Sequence, residues 1–249
     1  MKRLVCGILS LLIILSLTGC GSSGIKGRDD VSGKRIGVLA GTSSVRYGEM
    51  HGEVTEYNSK STLVAALKSG EIDCIVADSH DSGGITRFKI SLKTLKEPLA
   101  ESNFRIAAAK ENPDLISDIN TALSYLEEEG ILEDIIDGNY DGGYEYSGLM
   151  PPENAGTLTV ALGGDFYPYK MTADGVYTGI DIDVAKAVCA YLGFNAEFTV
   201  VPSNDLIASV TDGRCHFAIG GITANTADEN VCIMSNPYAT CTQKIIVMR

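Results

Sequence analysis

Positive charge is the first thing this chain is short of. Its 249 residues carry 20 lysines and arginines against 32 aspartates and glutamates, a net charge of −12. That balance argues against nucleic acid or an anionic membrane surface as partner. A solvated acidic surface accounts for it without any function. Histidine is scarce too: His51, His80 and His216 stand in no metal-ligand spacing, and His216, at the start of an expected strand, reads as structural. The seven cysteines include no Cys-x-x-C pair, so no zinc site is legible. Apart from Cys6 and Cys20 near the N-terminus they are Cys74, Cys189, Cys215, Cys232 and Cys241, an odd number. Cys74 and Cys189 lie in apolar runs, and mostly buried free thiols are expected. No Gly-x-Ser-x-Gly or comparable nucleophile–base pattern occurs. Asp181 and Asp183 form a close carboxylate pair that helix capping and the first-turn dipole explain. No catalytic residue, metal or cofactor is expected.

Long apolar runs are missing as well, with one exception. Lys2 and Arg3 precede an almost unbroken apolar stretch over 4–17, short for a spanning helix and suited to a signal peptide. It closes with Leu17-Thr18-Gly19-Cys20, which resembles a bacterial lipobox. The resemblance implies a lipid on Cys20; a plain signal peptide with an incidental cysteine is the alternative. Residues 21–27 then read as a tether. The chain is expected to be exported and anchored to the cell membrane.

The rest is ordinary globular material, 45% hydrophobic, long enough for one large domain or two small lobes. Strands are expected at 35–39, 54–57, 72–77, 104–108, 158–162, 195–201, 217–219 and 244–248. Helices are expected from about Val45 and over 59–69, 112–130, 131–137, 184–192 and 204–211. Gly70, Gly130 and Gly193 read as helix stops. The Thr42 and Ser43 hydroxyls suit a helix cap or a ligand contact equally well. Asp78 ends a buried strand, where an open α/β sheet presents ligand groups, although it could also cap the following turn. Residues 141–156 show turn residues without a period and read as a linker. The stretches 63–70 and 206–213 echo each other as helix, glycine stop and following strand, which sets Asp78 opposite Gly221.

Residues 157–193, TLTVALGGDFYPYKMTADGVYTGIDIDVAKAVCAYLG, resemble the opening of family 3 of the extracellular solute-binding proteins, the amino-acid receptors of ABC importers. In that family such a segment begins the mature protein. Residues 25–140 resemble the family's second lobe and closing helices, and residues 157–249 its first lobe, hinge and one strand beyond. The resemblance implies an α/β, two-lobe clamshell of the type II periplasmic-binding-protein kind, circularly permuted; a fragment of a tandem array is the alternative. Lobe 2 would comprise 28–103 plus 243–249 and lobe 1 would comprise 109–240, with hinges near 104–108 and 238–242. The linker, about 16 residues, could extend to roughly 50 Å, enough to join termini on one lobe.

By the same resemblance the chain is a monomeric, non-enzymatic receptor. It would bind a small polar, amino-acid-like or cationic solute and deliver it to an ABC permease. From the aromatic turn Phe166 would stack on the ligand, with Tyr169 beside it, and Gly221 and Thr223 would offer backbone groups and a hydroxyl. Gly41, Thr42 and Ser43 would face them, and Asp78 would take a ligand amino group. Three positions depart from the family: Asp228 stands where an arginine forks onto the ligand carboxylate, Gly163 where an acid is frequent, and Ser203 where an aromatic often stacks. A free α-carboxylate is therefore disfavoured at the usual place unless Asp228 turns away or Arg46 or Lys170 moves in; a degenerate pocket that binds nothing is the alternative. A ligand-sensing lipoprotein without transport, or a dehydratase on the same fold, are the other readings.

Overall fold

A computed structural model describes residues 24–40, 42–86, 91–141, 144–165, 167–224 and 230–249. The apolar leader with Cys20, and the expected ligand residues Gly41, Phe166 and Asp228, lie outside the described residues. In chain order the elements are β1 (Arg35–Leu39), α1 (Ser43–Glu49), β2 (Glu53–Tyr57), α2 (Lys60–Ser69), β3 (Cys74–Asp78), α3 (Ser79–Thr86), β4 (Leu92–Thr94) and β5 (Ala100–Ala109). They continue with α4 (Pro113–Glu128), α5 (Ile131–Asp141), β6 (Gly156–Leu162), β7 (Met171–Ala173), β8 (Val176–Thr178) and α6 (Ile180–Tyr191). β9 (Phe194–Val200), α7 (Leu206–Thr211), β10 (Phe217–Ile219) and β11 (Cys232–Met248) complete the chain.

Most strands join one sheet in the order β2-β1-β3-β11-β5-β10-β6-β9, with β4 also paired to β11. The sheet has two parallel ends. β2, β1 and β3 run parallel at one, and β10, β6 and β9 at the other. Between them lie β5 and β11, long antiparallel partners that run from one end into the other. Residues 244–248, expected as a separate strand, are the last part of β11. Their neighbours pair Gln243 with Asp78 and Ile246 with Ile75, which puts them in one sheet with β1, separated from it by β3. Asn236 and Pro237 look like a turn in sequence, which hides so long a strand. Here Pro237 sits at register shifts against β5, the bulge position at which a strand tolerates a residue without an N–H.

Strand alternation builds a core on each face of each end. At the first end Ile36, Val38, Cys74, Val76, Ile245 and Val247 pack on one face, and Ile75, Ala77 and Ile246 face Leu63, Leu67 and Ile85 on the other. At the second end Ile106, Val160, Leu162, Phe217 and Ile219 pack with α4, α5 and α6. Their neighbours Ala107, Ala161 and Ala218 form a row of small side chains on the opposite face. That row lets short α7 approach closely through Leu206 and Val210. Helices thus cover both faces of parallel strands, the arrangement that doubly wound α/β sheets require.

Helix ends follow mostly local rules. Gly70, Gly130 and Gly193 take φ of 75°, 75° and 82°, as left-handed stops. Ser59 caps α2 through its hydroxyl on the Thr62 N–H. Two expectations need correction. α1 starts at Ser43, not near Val45, and the Thr42 hydroxyl donates back to Leu39 O at 2.8 Å instead of capping the helix. α6 starts at Ile180, and neither Asp181 nor Asp183 caps it. The Ile180 and Asp181 N–H groups bond instead to the carbonyls of Pro168 and Tyr169. Gly179, with φ 122°, permits that approach: a Cβ there would lie 2.4 Å from Tyr169 O. With the helix end satisfied by backbone, both aspartates are released to point inward.

Candidate functional site

In parallel α/β sheets, ligand groups collect beyond the carboxyl ends of the strands. This sheet has two such ends, and they open onto one cavity of about 650 Å³. Thr42, Ser43 and Arg46 follow β1 and Glu56 lies near the end of β2. From the other side come Gly164 and Asp165 after β6, Ser203 and Asn204 after β9, and Gly220 to Ile222 after β10. Phe104, on the crossing strand β5, lies between the two walls and packs edge-on to buried Tyr169 at 4.9 Å. Gly220 and Gly221 take φ of 148° and 68°, so their backbone turns where most residues would be strained. The Gly221 backbone is one of the groups this turn brings to the wall.

Behind the cavity lies a buried polar cluster. Gln243 donates to Ser43 Oγ at 3.1 Å and accepts from Ser44 Oγ at 2.7 Å. Cys241 Sγ lies 3.2 Å from Asp78 Oδ2, and burial raises its pKa to about 12, so the thiol is the donor. The Tyr140 hydroxyl, at the end of α5, hydrogen-bonds both Asp78 and Tyr169, and burial raises its pKa. These contacts tie α1, β3 and β11 to the far end of the sheet.

Asp181 occupies a second enclosed position. Its Oδ1 accepts the Tyr238 hydroxyl at 2.6 Å, while its Oδ2 has no hydrogen-bond partner among the described residues. Burial lifts its carboxyl to about 7, against the opposing pull of the Tyr238 bond and of Lys170. The same Tyr238 hydroxyl is hydrogen-bonded by the Gly221 backbone, so Asp181 stands one phenol behind the cavity wall. Asp183 accepts from Asn139 at 2.9 Å, and burial raises its pKa as well. Lys170 is buried against Asp165 and Thr172 and near the ring of Tyr177. It therefore serves Asp165, whose pKa it lowers, and supplies no free charge to the cavity.

Of the expected ligand residues, Thr42, Ser43 and Gly221 line the cavity. Asp78 and Tyr169 are buried in the polar cluster behind it. Thr223 follows the lining residue Ile222 without lining the cavity itself. Glu49, Glu56, Asp165 and Asn204 are not among the expected ligand residues, and Arg46 is expected only as a charge that could stand in for the family's arginine. Counting outward from the carboxyl ends of the parallel strands finds most of them, because Glu56, Asp165 and Asn204 lie within a few residues of such an end. His216 accepts the Thr159 N–H on Nδ1 at 3.0 Å, the structural role expected of it. Among the described residues no group of metal-ligating side chains forms a site, and no helix is long and apolar enough to cross a membrane.

Residues 158–249 match the family model for bacterial extracellular solute-binding proteins, family 3. The chain is 34% identical over 87 residues to a cyclohexadienyl dehydratase of Pseudomonas aeruginosa, covering 34% of this chain and 32% of that protein. It is 28% identical over 125 residues to the L-cystine-binding protein TcyJ of Escherichia coli, covering 48% of this chain and 47% of that one. The matches thus span about a third to a half of the curated relatives' length. A phosphate-binding protein of a phosphate ABC transporter from Streptococcus pneumoniae shares the fold, with a TM-score of 0.52, 10% identity and coverage of 88% and 89% of the two chains.

Proposed function

Residues 158–249 match the model of family 3 of the bacterial extracellular solute-binding proteins, and from that premise we propose that the chain is a lipid-anchored receptor of this family which closes its cleft on a small polar solute and passes it to an ABC permease. The observation that carries this reading is the cavity itself. Two sets of parallel strands turn their carboxyl ends toward one space of about 650 Å³, walled by hydroxyls, an amide and turned backbone. Convergent polar groups of that kind, with an aromatic between them, suit a solute of amino-acid size. Contacts from both walls make the closed form the better binder, which is how a solute shifts the population.

The lipid anchor rests on the lipobox-like ending at Cys20 and delivery to a permease on the family alone. The exchanged order of the halves is likewise our reading. The family match begins at residue 158, while the strands before it complete the same sheet. A thermal-shift panel of amino acids, amines, opine-like compounds and short peptides tests the receptor. A solute at 100 times its Kd should stabilise the chain by about 2.7 kcal/mol. No shift across the panel, or no change in the scattering envelope with a stabilising solute, refutes it.

The dehydratase relative supplies the observation for a second reading, an enzyme on this fold. Asp181 has the raised pKa of a general acid or base, but it does not line the cavity and reaches it only through Tyr238. Receptor function fits that geometry better. Loss of water from a stabilising solute, followed by NMR with the purified chain, would decide for the enzyme.

A further inference from the structure

Outside the β5–β11 ribbon, the two ends of the sheet meet again around one residue, Tyr140. It stands near the end of α5, half-buried against the core of the second end. Its hydroxyl reaches across to the first end. The buried Tyr169 hydroxyl donates to Tyr140, and Tyr140 donates to Asp78 at the end of β3. The Asp78 carboxyl also accepts the Cys241 thiol at 3.2 Å, so it is held from two sides. The Tyr140 carbonyl accepts the Tyr167 hydroxyl at 3.2 Å. Tyr167 in turn forms an isolated parallel β-bridge with Thr42. One tyrosine thus meets the first end directly through its hydroxyl, and at second hand through its carbonyl.

These contacts lie where the cavity walls would part. Thr42 lines the cavity on one wall, and Asp165, two residues before Tyr167, lines it on the other. Separating the walls at that corner breaks the Thr42–Tyr167 bridge. It also draws Asp78 away from Tyr140, because β3 is paired with β1, which leads into Thr42, while Tyr140 packs on the second core. Every group in the contact belongs to the chain, so it acts on the balance between open and shut without a solute. An opened cleft admits water to replace the lost donor, and the net cost of opening is then about that of one hydrogen bond. That is a factor of roughly three to ten in the open population. A factor of that size weights the balance without locking it.

We propose that Tyr140 is an intramolecular clasp on the cleft: bonded to Asp78 through its hydroxyl and to Tyr167 through its carbonyl, it draws the two walls together and sets how often the cleft opens. This rests on the receptor reading above and adds its regulation. Releasing the clasp raises the open population, so solute enters and leaves faster. It also weakens binding, since a solute held by both walls must then supply more of the free energy of closing.

Hydrogen exchange and small-angle scattering of the full chain, with no solute added, test this. Tyr140→Phe keeps the ring and loses the hydroxyl. Its segments 42–45 and 167–170 should exchange about three- to tenfold faster and its radius of gyration should rise, while β6 and α6 keep wild-type protection. Asp78→Ala should act in the same direction, and the double variant should fall short of the product of the two accelerations, as partners in one bond do. Tyr146→Phe is the control. Its hydroxyl accepts the Leu149 N–H at 2.6 Å, and Tyr146 and Leu149 both pack on the second core, so this variant should leave the radius and both segments unchanged. Should Tyr140→Phe not fold, Tyr167→Phe, which removes the hydroxyl bonded to the Tyr140 carbonyl, gives the same readout. An unchanged radius and unchanged exchange overturn the clasp, as do accelerations that simply multiply. Loss of protection that spreads to β6 and α6 also overturns it, because the tyrosine then serves general stability. None of these readings involves a solute, so a failed clasp leaves the receptor question to the thermal-shift panel.

Discussion

The buried carboxyl of Asp181 makes a pH dependence that can be worked out in sign and size. Its folded pKa is about 7, against 3.8 for an ordinary aspartate. Between those values the folded chain holds a proton that the unfolded chain has released. Stability on this account is highest below about pH 4, declines as pH rises through the window, and levels off above about 7. One proton corresponds to ~1.4 kcal/mol per pH unit, so the whole decline is on the order of 4 kcal/mol. Asp73 and Asp165 act in the opposite sense. Arg35 and Lys170 lower their pKa values, so their contribution is lost as pH falls through the acid range. A difference measurement isolates the buried group. Asparagine at position 181 keeps an oxygen for the Tyr238 hydroxyl and cannot ionise. Urea unfolding of wild type and Asp181→Asn at intervals from pH 4 to 8 should show the stability gap moving in the variant's favour by about 4 kcal/mol across that range. A gap that stays constant with pH would mean that Asp181 is not a protonated buried acid, and the reasoning from its enclosure would fail.

Gly179→Ala should destabilise by at least about 1–3 kcal/mol, because φ of 122° strains any side chain and the added Cβ meets Tyr169 O; an unfolding midpoint equal to wild type would refute it. The five described cysteines are free and buried, and burial raises Cys74, Cys189 and Cys241 to about 12. A thiol reagent should therefore label them rapidly only in denaturant, and prompt labelling of the native chain at any of them would contradict the packing. A reordered chain, residues 157–249 followed directly by 25–141, should fold with an unchanged circular dichroism spectrum if the halves are exchanged family blocks; failure to fold counts against permutation.

Local signals carried much of the fold. Alternating strand and helix patterns with glycine stops at 70, 130 and 193 yield the parallel units directly, since each stop is a backbone requirement written in one residue. What the sequence hides is pairing over distance. Pro237 breaks the local strand pattern, and only its partner across the bulge makes β11 continuous. Asp181 looks like a capping acid because its neighbours in sequence form the helix start, whereas its environment is set by Tyr238, far along the chain. Asp78 stands at the expected strand end, but Tyr140 and Cys241 enclose it, and neither residue signals that locally. Arg46 reads in sequence only as a spare charge, because nothing local shows that its short helix borders the cavity.

The long antiparallel pair of β5 and β11 bears on how the two ends of the sheet can move. A single peptide strand between two bodies would act as a swivel with many free directions. Two strands bonded side by side make a ribbon, and a ribbon is stiff to bending within its plane but compliant to twisting and to bending out of it. Pairs from Ala109 with Cys232 to Ala100 with Gln243 hold the ribbon together, and the register shifts around Pro237 interrupt it at one place. Deformation concentrates where the ladder is broken. If the chain works as the proposed receptor, opening and closing of its cleft would reduce to a flexure of this one bulged ribbon, with the peptide units beside Pro237 taking most of the deformation. On that reading, replacing the bulge with regular pairing would change how fast a solute enters and leaves.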